Sequence, residues 1–103
     1  MTKPIPYSRT KLSRDFVKLY KKSDVRLKKS IDEKLRVFVK NPFELELDNH
    51  ALRDEWEGYR SIDITNDYRA IYKEVREGEQ IKALFVAFGT HKELYEKQSS
   101  EKQ

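Results

Sequence analysis

The spacing of apolar residues changes from a helical period to a strand period partway along this chain. In the first forty residues, apolar side chains recur at intervals of three and four, the spacing that lines one face of an α-helix. From residue 61 onward, apolar residues alternate with polar ones or form short apolar runs, as they do in β-strands. This change predicts an α+β domain in which the helices precede a sheet.

Two apolar stripes predict two helices. The members of these stripes are Leu12, Phe16, Leu19 and Tyr20 in the first, and Leu27, Ile31, Leu35 and Phe38 in the second. We expect Ser8 or Thr10 to cap the first helix and Asn41-Pro42 to end the second. A short edge strand over 5–7 is expected to precede them, and the acidic, irregular stretch 43–57 is expected to form a loop.

Three strands are predicted in the second half of the chain, over 61–64, 68–75 and 81–88. The third is apolar at nearly every residue, so we expect it at the sheet centre with both faces covered. The predicted order is β-α-α-β-β-β, with two helices on one face of a twisted antiparallel sheet and a short helical turn over 91–97. The other face of the sheet stays free, and we expect the functional site there.

The composition predicts one small domain over 1–97, followed by a flexible tail over 98–103. The chain has no cysteine, so neither a disulfide framework nor a thiolate metal site is expected, and no cofactor is predicted. Its longest apolar run, 83–88, is far shorter than the roughly 20 residues that cross a membrane. The N-terminus lacks the apolar core of a signal peptide. We therefore expect a cytoplasmic protein without membrane contact.

Positive charge is concentrated in the first forty residues. They hold 13 Lys or Arg and four acidic residues, a local charge of +9, whereas residues 41–103 hold nine and 14, a local charge of −5. A basic half of this kind can bind a polyphosphate such as RNA in a salt-dependent way. It is equally compatible with lysines and arginines that only solvate two helices.

The two histidines, His50 and His91, are the first candidates for chemistry. Histidine gives or takes a proton near neutral pH, and RNA cleavage needs both a base for the ribose 2′-hydroxyl and an acid for the departing 5′-oxygen. Taken alone, each histidine is also typical of an ordinary turn or helix-entry residue. Two histidines this far apart, without cysteine, match no familiar metal-ligand spacing.

Three segments in order resemble the YafQ-like branch of the RelE/ParE toxin superfamily. Residues 49–52 with 56–60 read Asn-His-Ala-Leu and Trp-Glu-Gly-Tyr-Arg, similar to the family's "H-x-L…W-x-G-Y-R" segment. Residues 67–73 read Asp-Tyr-Arg-Ala-Ile-Tyr-Lys and look like its "I-Y-K" strand, and residues 89–95 resemble its closing "G-T/S-H-x-x-L-F" motif. The match covers 49–95, and the first half agrees only in pattern.

The resemblance implies a toxin of a type II toxin–antitoxin system that cleaves messenger RNA on the ribosome, without metal, and is neutralised by an antitoxin. It implies catalytic roles for His50, Asp67 and His91, without assigning base and acid. It implies substrate contacts for Tyr68 and Tyr95, which stand where the family has Trp and Phe. The basic helices are then expected to meet ribosomal RNA.

Two positions depart from the family pattern. Asp63 stands where the family has a further histidine, and Ala87 stands where it favours an arginine. Arg60, Arg69 or Lys92 can replace that guanidinium if the fold brings one of them to the site, and we include Arg60 and Asp63 among the expected substrate-binding residues. These departures leave two alternatives open. One is a non-catalytic, ParE-like inhibitor of DNA gyrase, and the other is a toxin that retains only antitoxin binding.

Overall fold

The computed structural model describes residues 7–96 of the chain and has two helices between the first and second strands of a five-stranded sheet. The tail predicted over 98–103 lies outside the described residues. In chain order the elements are β1 (Arg9–Leu12), α1 (Arg14–Lys22), α2 (Val25–Lys40), a 3₁₀ turn (Leu45–Leu47), β2 (His50–Ala51), a 3₁₀ turn (Asp54–Trp56), β3 (Tyr59–Asp63), β4 (Tyr68–Glu77), β5 (Gln80–Thr90) and a π-helical turn (Lys92–Glu96).

Capping side chains set the starts of both helices. The backbone N–H of Phe16 donates to the Ser13 hydroxyl at 3.1 Å, and the N–H of Leu27 donates to the Asp24 carboxylate at 2.8 Å. Ser13, rather than the predicted Ser8 or Thr10, is thus the cap of α1. Leu12, predicted on the helix stripe, lies in β1 because the helix begins only after that cap. α2 ends before Asn41-Pro42, as predicted.

The sheet order is β1-β5-β4-β3-β2. The antiparallel arrangement predicted for the sheet holds for β2 through β5, whereas β1 pairs parallel to β5, so the sheet is mixed. A parallel pair needs a long crossover between its strands, and both helices lie between β1 and β5 in the chain. The first strand covers Arg9–Leu12 rather than 5–7, of which 5 and 6 lie outside the described residues.

Two further expectations need correction. The predicted loop over 43–57 contains two 3₁₀ turns and the short strand β2. β5 is an inner strand, but β4 occupies the centre of the five. An unbroken apolar run signals an interior strand without saying which interior position it takes.

The core lies between the helices and one face of the sheet. Phe16 of α1 and Phe38 of α2 are fully buried against Tyr72 and Phe85. The rings of Phe38, Tyr72 and Phe85 lie with centroids 5.0 Å apart in each pair, within the range of favourable aromatic contacts. No helix in the described part of the chain is long and apolar enough to span a membrane.

Candidate active site

A pocket of about 470 Å³ opens on the sheet face that the helices leave free. Strands, the loop before β3 and the C-terminal turn all contribute to its lining, which includes Asp48, His50, Asp54, Ser61, Arg69, His91 and Tyr95. Strand register explains this placement. Ala70 pairs with Ile62 and Phe88 in the core-facing row, so the adjacent rows, with Ser61 in one and Arg69 in the other, face the opposite side.

His50 enters the pocket through the short strand β2, where it pairs with Ser61 of β3. Its Nδ1 lies 2.8 Å from the backbone carbonyl of Asp48, which adopts a left-handed conformation with φ of 46°. A carbonyl only accepts, so Nδ1 carries the proton in this contact and Nε2 of the neutral ring is a proton acceptor. The Asp48 carboxylate lies 3.8 Å from the same nitrogen.

A chain of hydrogen bonds fixes the backbone beside His50. Asn49 donates through Nδ2 to the Pro42 carbonyl and to the Tyr72 hydroxyl, both at 2.8 Å. Arg60 donates from Nε to Asn49 Oδ1 at 2.8 Å, and its guanidinium lies 5.4 Å from the centre of the Phe43 ring. Arg60 pairs with Tyr72 in the sheet and does not line the pocket. It therefore supports the loop that carries His50.

His91 and Tyr95 come from the C-terminal turn. Their rings meet edge to face with centroids 4.6 Å apart. Thr90 and Glu93 fix the start of the turn through reciprocal bonds between side chain and backbone, at 2.9 and 3.1 Å. The backbone N–H of His91 also donates to the backbone carbonyl of Asp67 at 3.3 Å. Strand β5 and the 65–68 turn thus hold His91 at the pocket from two sides.

Arg69 places a guanidinium in the pocket. Its Nη1 group donates to the carbonyls of Thr65, Asn66 and Tyr68 at 2.9 to 3.1 Å, so the turn after β3 holds the side chain in one orientation. Its Nε lies 3.0 Å from Asp63 Oδ1. That carboxylate oxygen has no well-aligned hydrogen bond within the described residues, so the contact is an ion pair rather than a directed bond.

Asp63 is partly buried beside this arginine. Burial raises the pKa of Asp63 above its ordinary value, Arg69 lowers it, and Asp48 raises it. The carboxylate neutralises part of the Arg69 charge, which leaves the pocket less positive than the guanidinium alone would make it. Asp63 itself does not line the pocket.

None of the remaining predicted residues, Asp67, Tyr68 and Lys92, lines the pocket. Asp67 is exposed in the 65–68 turn, joined to His91 through the backbone bond. Tyr68 packs against the core on the helix-facing side of the sheet, away from the pocket. Lys92 is exposed and is not part of the lining.

Sequence reasoning missed five residues that the fold brings to the pocket: Asp48, Leu52, Arg53, Asp54 and Ser61. Asp54 has a φ of 56°, a conformation that asparagine and aspartate adopt more readily than most residues. Ser61 is fully buried, and its hydroxyl has no hydrogen-bond partner among the described residues. Only strand register shows that Ser61 lies beside His50, so no local pattern in the sequence could have identified it.

An α+β fold with a mixed sheet, two helices on one face of that sheet and a pocket on the other is the architecture of RelE/YoeB-like bacterial toxins. The fold superposes on the YoeB/ParE toxin from Agrobacterium tumefaciens with a TM-score of 0.64 at 20% identity, over 81% of this chain and 98% of that one. It superposes on YafQ from E. coli strain BL21(DE3) with a TM-score of 0.60 at 25% identity, over 84% and 96% of the two chains.

Residues 7–96 match the model of a bacterial toxin of type II toxin–antitoxin systems, YafQ, and the chain belongs to this family. A structure of the E. coli DinJ–YafQ complex matches with a TM-score of 0.56 at 25% identity, over 84% of this chain and 96% of that one. A comparison with curated protein sequences finds no match.

Proposed function

We propose that this toxin is a metal-independent endoribonuclease that cleaves messenger RNA on the ribosome. The observation that carries the proposal is that His50 and His91, from opposite ends of the second half of the chain, line the same pocket with Arg69. One proton acceptor, one proton donor and one fixed cation are the groups that cleavage through the 2′-hydroxyl requires.

In the proposed reaction His50 is the base and His91 the acid. Nε2 of His50 takes the proton of the ribose 2′-hydroxyl, because the Asp48 carbonyl holds the other nitrogen as a donor. The 2′-oxygen attacks the phosphorus, the bond to the 5′-oxygen breaks, and His91 supplies a proton to that leaving oxygen. The products are a 2′,3′-cyclic phosphate and a free 5′-hydroxyl.

Arg69 is the proposed stabiliser of negative charge on the phosphoryl oxygens. Its three carbonyl bonds use Nη1 and its ion pair uses Nε, so Nη2 is the group that it offers to a further acceptor. A guanidinium held in place before the reaction stabilises the transition state without first having to reorient. Tyr95, packed on His91 at the pocket, is suited to stack against a base next to the scissile bond.

The partners we propose are the ribosome with its mRNA and a cognate antitoxin. The matched family is that of toxins from toxin–antitoxin systems, and the E. coli relative is seen in complex with DinJ. On α2, a groove lined by Leu35 and Val39 also has the cationic Arg36 and Lys40 and the acidic Asp32 in its lining. This combination suits an antitoxin segment that is both apolar and acidic and that becomes ordered on binding.

The test of this proposal is cleavage of mRNA on programmed ribosomes, with new 5′ ends mapped for wild type, His50→Ala and His91→Ala. Wild type is expected to cut and both variants to lose at least about 100-fold in rate, the usual effect of removing an acid or a base. The matched control is Arg76→Ala on the β4–β5 hairpin, which should cut like wild type.

A substrate with sulfur in place of the bridging 5′-oxygen separates the two roles. A thiolate is a good leaving group without protonation, so it does not need the acid. The sulfur substrate should therefore be cleaved by His91→Ala and remain uncleaved by His50→Ala. Rescue of His50→Ala instead would reverse the assignment. No cleavage by wild type, together with inhibition of DNA supercoiling by gyrase, would refute the ribonuclease proposal in favour of a ParE-like activity. No effect of overproduction on growth would indicate a toxin without catalysis.

A further inference from the structure

The single tryptophan, Trp56, joins the two segments that flank the pocket. It ends the 3₁₀ turn Asp54–Trp56, and its indole Nε1–H donates to the backbone carbonyl of Leu94 at 3.0 Å. Its ring is half-buried and meets Tyr59 edge to face with centroids 5.3 Å apart. Trp56 itself is not among the residues that line the pocket.

The bond to Leu94 holds the second half of the C-terminal turn, beyond the hydrogen bonds that fix its start. The reciprocal bonds of Thr90 and Glu93 and the bond from His91 to the Asp67 carbonyl all act at the start of the turn. Residues 94 and 95 lie beyond them. There, the buried Leu94 side chain and the Trp56 indole connect the turn to the rest of the domain.

We propose that Trp56 is a positioning residue that keeps Tyr95, and through it the His91 ring, in place over the pocket. Asp54 at the start of the 3₁₀ turn and Tyr95 at the end of the C-terminal turn both line the pocket. The indole bond therefore ties one wall of the pocket to the other. When it is absent, Leu94 and Tyr95 move more freely, and the His91 and Tyr95 rings, 4.6 Å apart in the structure, separate for part of the time.

Trp56→Phe tests the structural claim because it removes the N–H donor and retains an aromatic ring against Tyr59. Amide hydrogen exchange over 92–95 is expected to accelerate about 5- to 10-fold, the factor that corresponds to one ordinary hydrogen bond. The exchange rates of the amides in β4 and β5 should not change. The His91 ring protons should move toward their free-histidine NMR shifts as the Tyr95 ring departs. Tyr59→Phe, which keeps the indole bond, is the matched control and should resemble wild type in both measurements.

The catalytic consequence rests on the proposed function. Trp56→Phe should lower kcat of mRNA cleavage by about the same factor, with KM nearly unchanged, because the ordering of His91 and Tyr95 is lost rather than binding to the ribosome. If wild type does not cleave mRNA, the proposed function fails, but hydrogen exchange and the His91 shifts still decide the role of Trp56.

A measurement on wild type covers the case in which Trp56→Phe does not fold. The chain has one tryptophan, so its indole N–H gives one assignable NMR signal. We expect slow exchange of this proton with solvent. An indole proton that exchanges like that of free tryptophan would overturn the proposal. So would a folded Trp56→Phe protein whose exchange over 92–95 and His91 shifts equal those of wild type.

Discussion

At the scale of single residues, the arginine that we propose as the stabilising cation, Arg69, lies on a different strand from the one that the family pattern suggests. The pattern favours an arginine at position 87, where this chain has alanine, and Ala87 on β5 lies directly across from Ile71 on β4. Arg69 is two residues away from Ile71 on the same strand, so its side chain leaves the same face of the sheet. Of the three expected substitutes, Arg60, Arg69 and Lys92, only Arg69 lines the pocket, where Arg53 is a second arginine.

If Arg69 stabilises the transition state, Arg69→Ala should reduce kcat of mRNA cleavage by about 100- to 1,000-fold, the usual effect of removing one preorganised donor. Ala87→Arg in the same protein should restore part of that loss, because it returns a guanidinium to the pocket-facing row. Rates on programmed ribosomes measure both effects, and Arg76→Ala serves as the exposed-arginine control. Wild-type cleavage by Arg69→Ala would show that the pocket uses another cation.

At the scale of elements, one line of hydrogen bonds connects the N-terminal segment, the loop before β2 and strand β4. The Tyr7 hydroxyl lies 2.8 Å from the Tyr72 hydroxyl and donates to the Glu74 carboxylate at 2.6 Å, while Tyr72 accepts from Asn49. Each hydroxyl and amide N–H in this line has an acceptor, which is the condition under which a buried polar network stabilises a fold. The line begins at Arg60 and passes Asn49, so the same bonds also fix the backbone next to His50.

Tyr7→Phe should lower the free energy of unfolding by about 1–2 kcal/mol at neutral pH, because it removes one buried hydroxyl with two partners. Burial raises the pKa of Tyr7, and its bonds to Glu74 and Tyr72 raise it further. The unfolded chain therefore ionises this tyrosine at lower pH than the native state does, and wild type should lose stability as pH rises above the ordinary tyrosine pKa of about 10.

The Tyr7→Phe protein should lose less stability over the same alkaline range, since it lacks that ionisation. Urea denaturation at a series of pH values measures both effects. Tyr59→Phe, whose hydroxyl has no place in this network, is the control and should keep the alkaline dependence of wild type. Parallel pH profiles for wild type and Tyr7→Phe would contradict the assigned role of the Tyr7 hydroxyl.

At the scale of the whole molecule, the sheet separates the basic helices from the pocket. The helices pack on one face of the sheet, and the histidines and Arg69 lie on the other. Lys18 and Lys22 of α1 are exposed, as is Lys29 of α2. The proposed ribosome-binding surface thus lies on the helices and the proposed catalytic residues lie across the sheet from it. Substitutions can therefore test ribosome binding and catalysis separately.

Replacement of Lys18, Lys22 and Lys29 by Glu should raise KM for programmed ribosomes and leave kcat nearly unchanged, because these side chains lie away from the pocket. For every lysine–phosphate interaction that the replacement removes, the slope of log affinity against log salt should also fall by roughly one unit. Cleavage rates over a series of KCl concentrations measure this, with Arg76→Glu as the charge-reversal control. An unchanged salt dependence would remove the helices from the ribosome interface.

Local patterns in the sequence were sufficient for most of the fold. The 3.6-residue spacing of Phe16 in α1, and of Ile31 and Phe38 in α2, placed their side chains in the core, and the alternation around Ile62 placed β3. Such patterns depend on neighbours within one element. The parallel pairing of β1, the central position of β4 and the strand at His50 depend on contacts between distant segments, which those patterns do not record.

The order of amino acids established which residue types are present for chemistry, with two histidines and a family motif around each. Only the folded chain shows that His50 and His91 share a pocket, that Arg69 rather than Arg60 joins them, and that Tyr68 faces the core. The physical reason is strand register. A shift of one residue moves a side chain to the other face of the sheet, and register is fixed by packing across the whole domain.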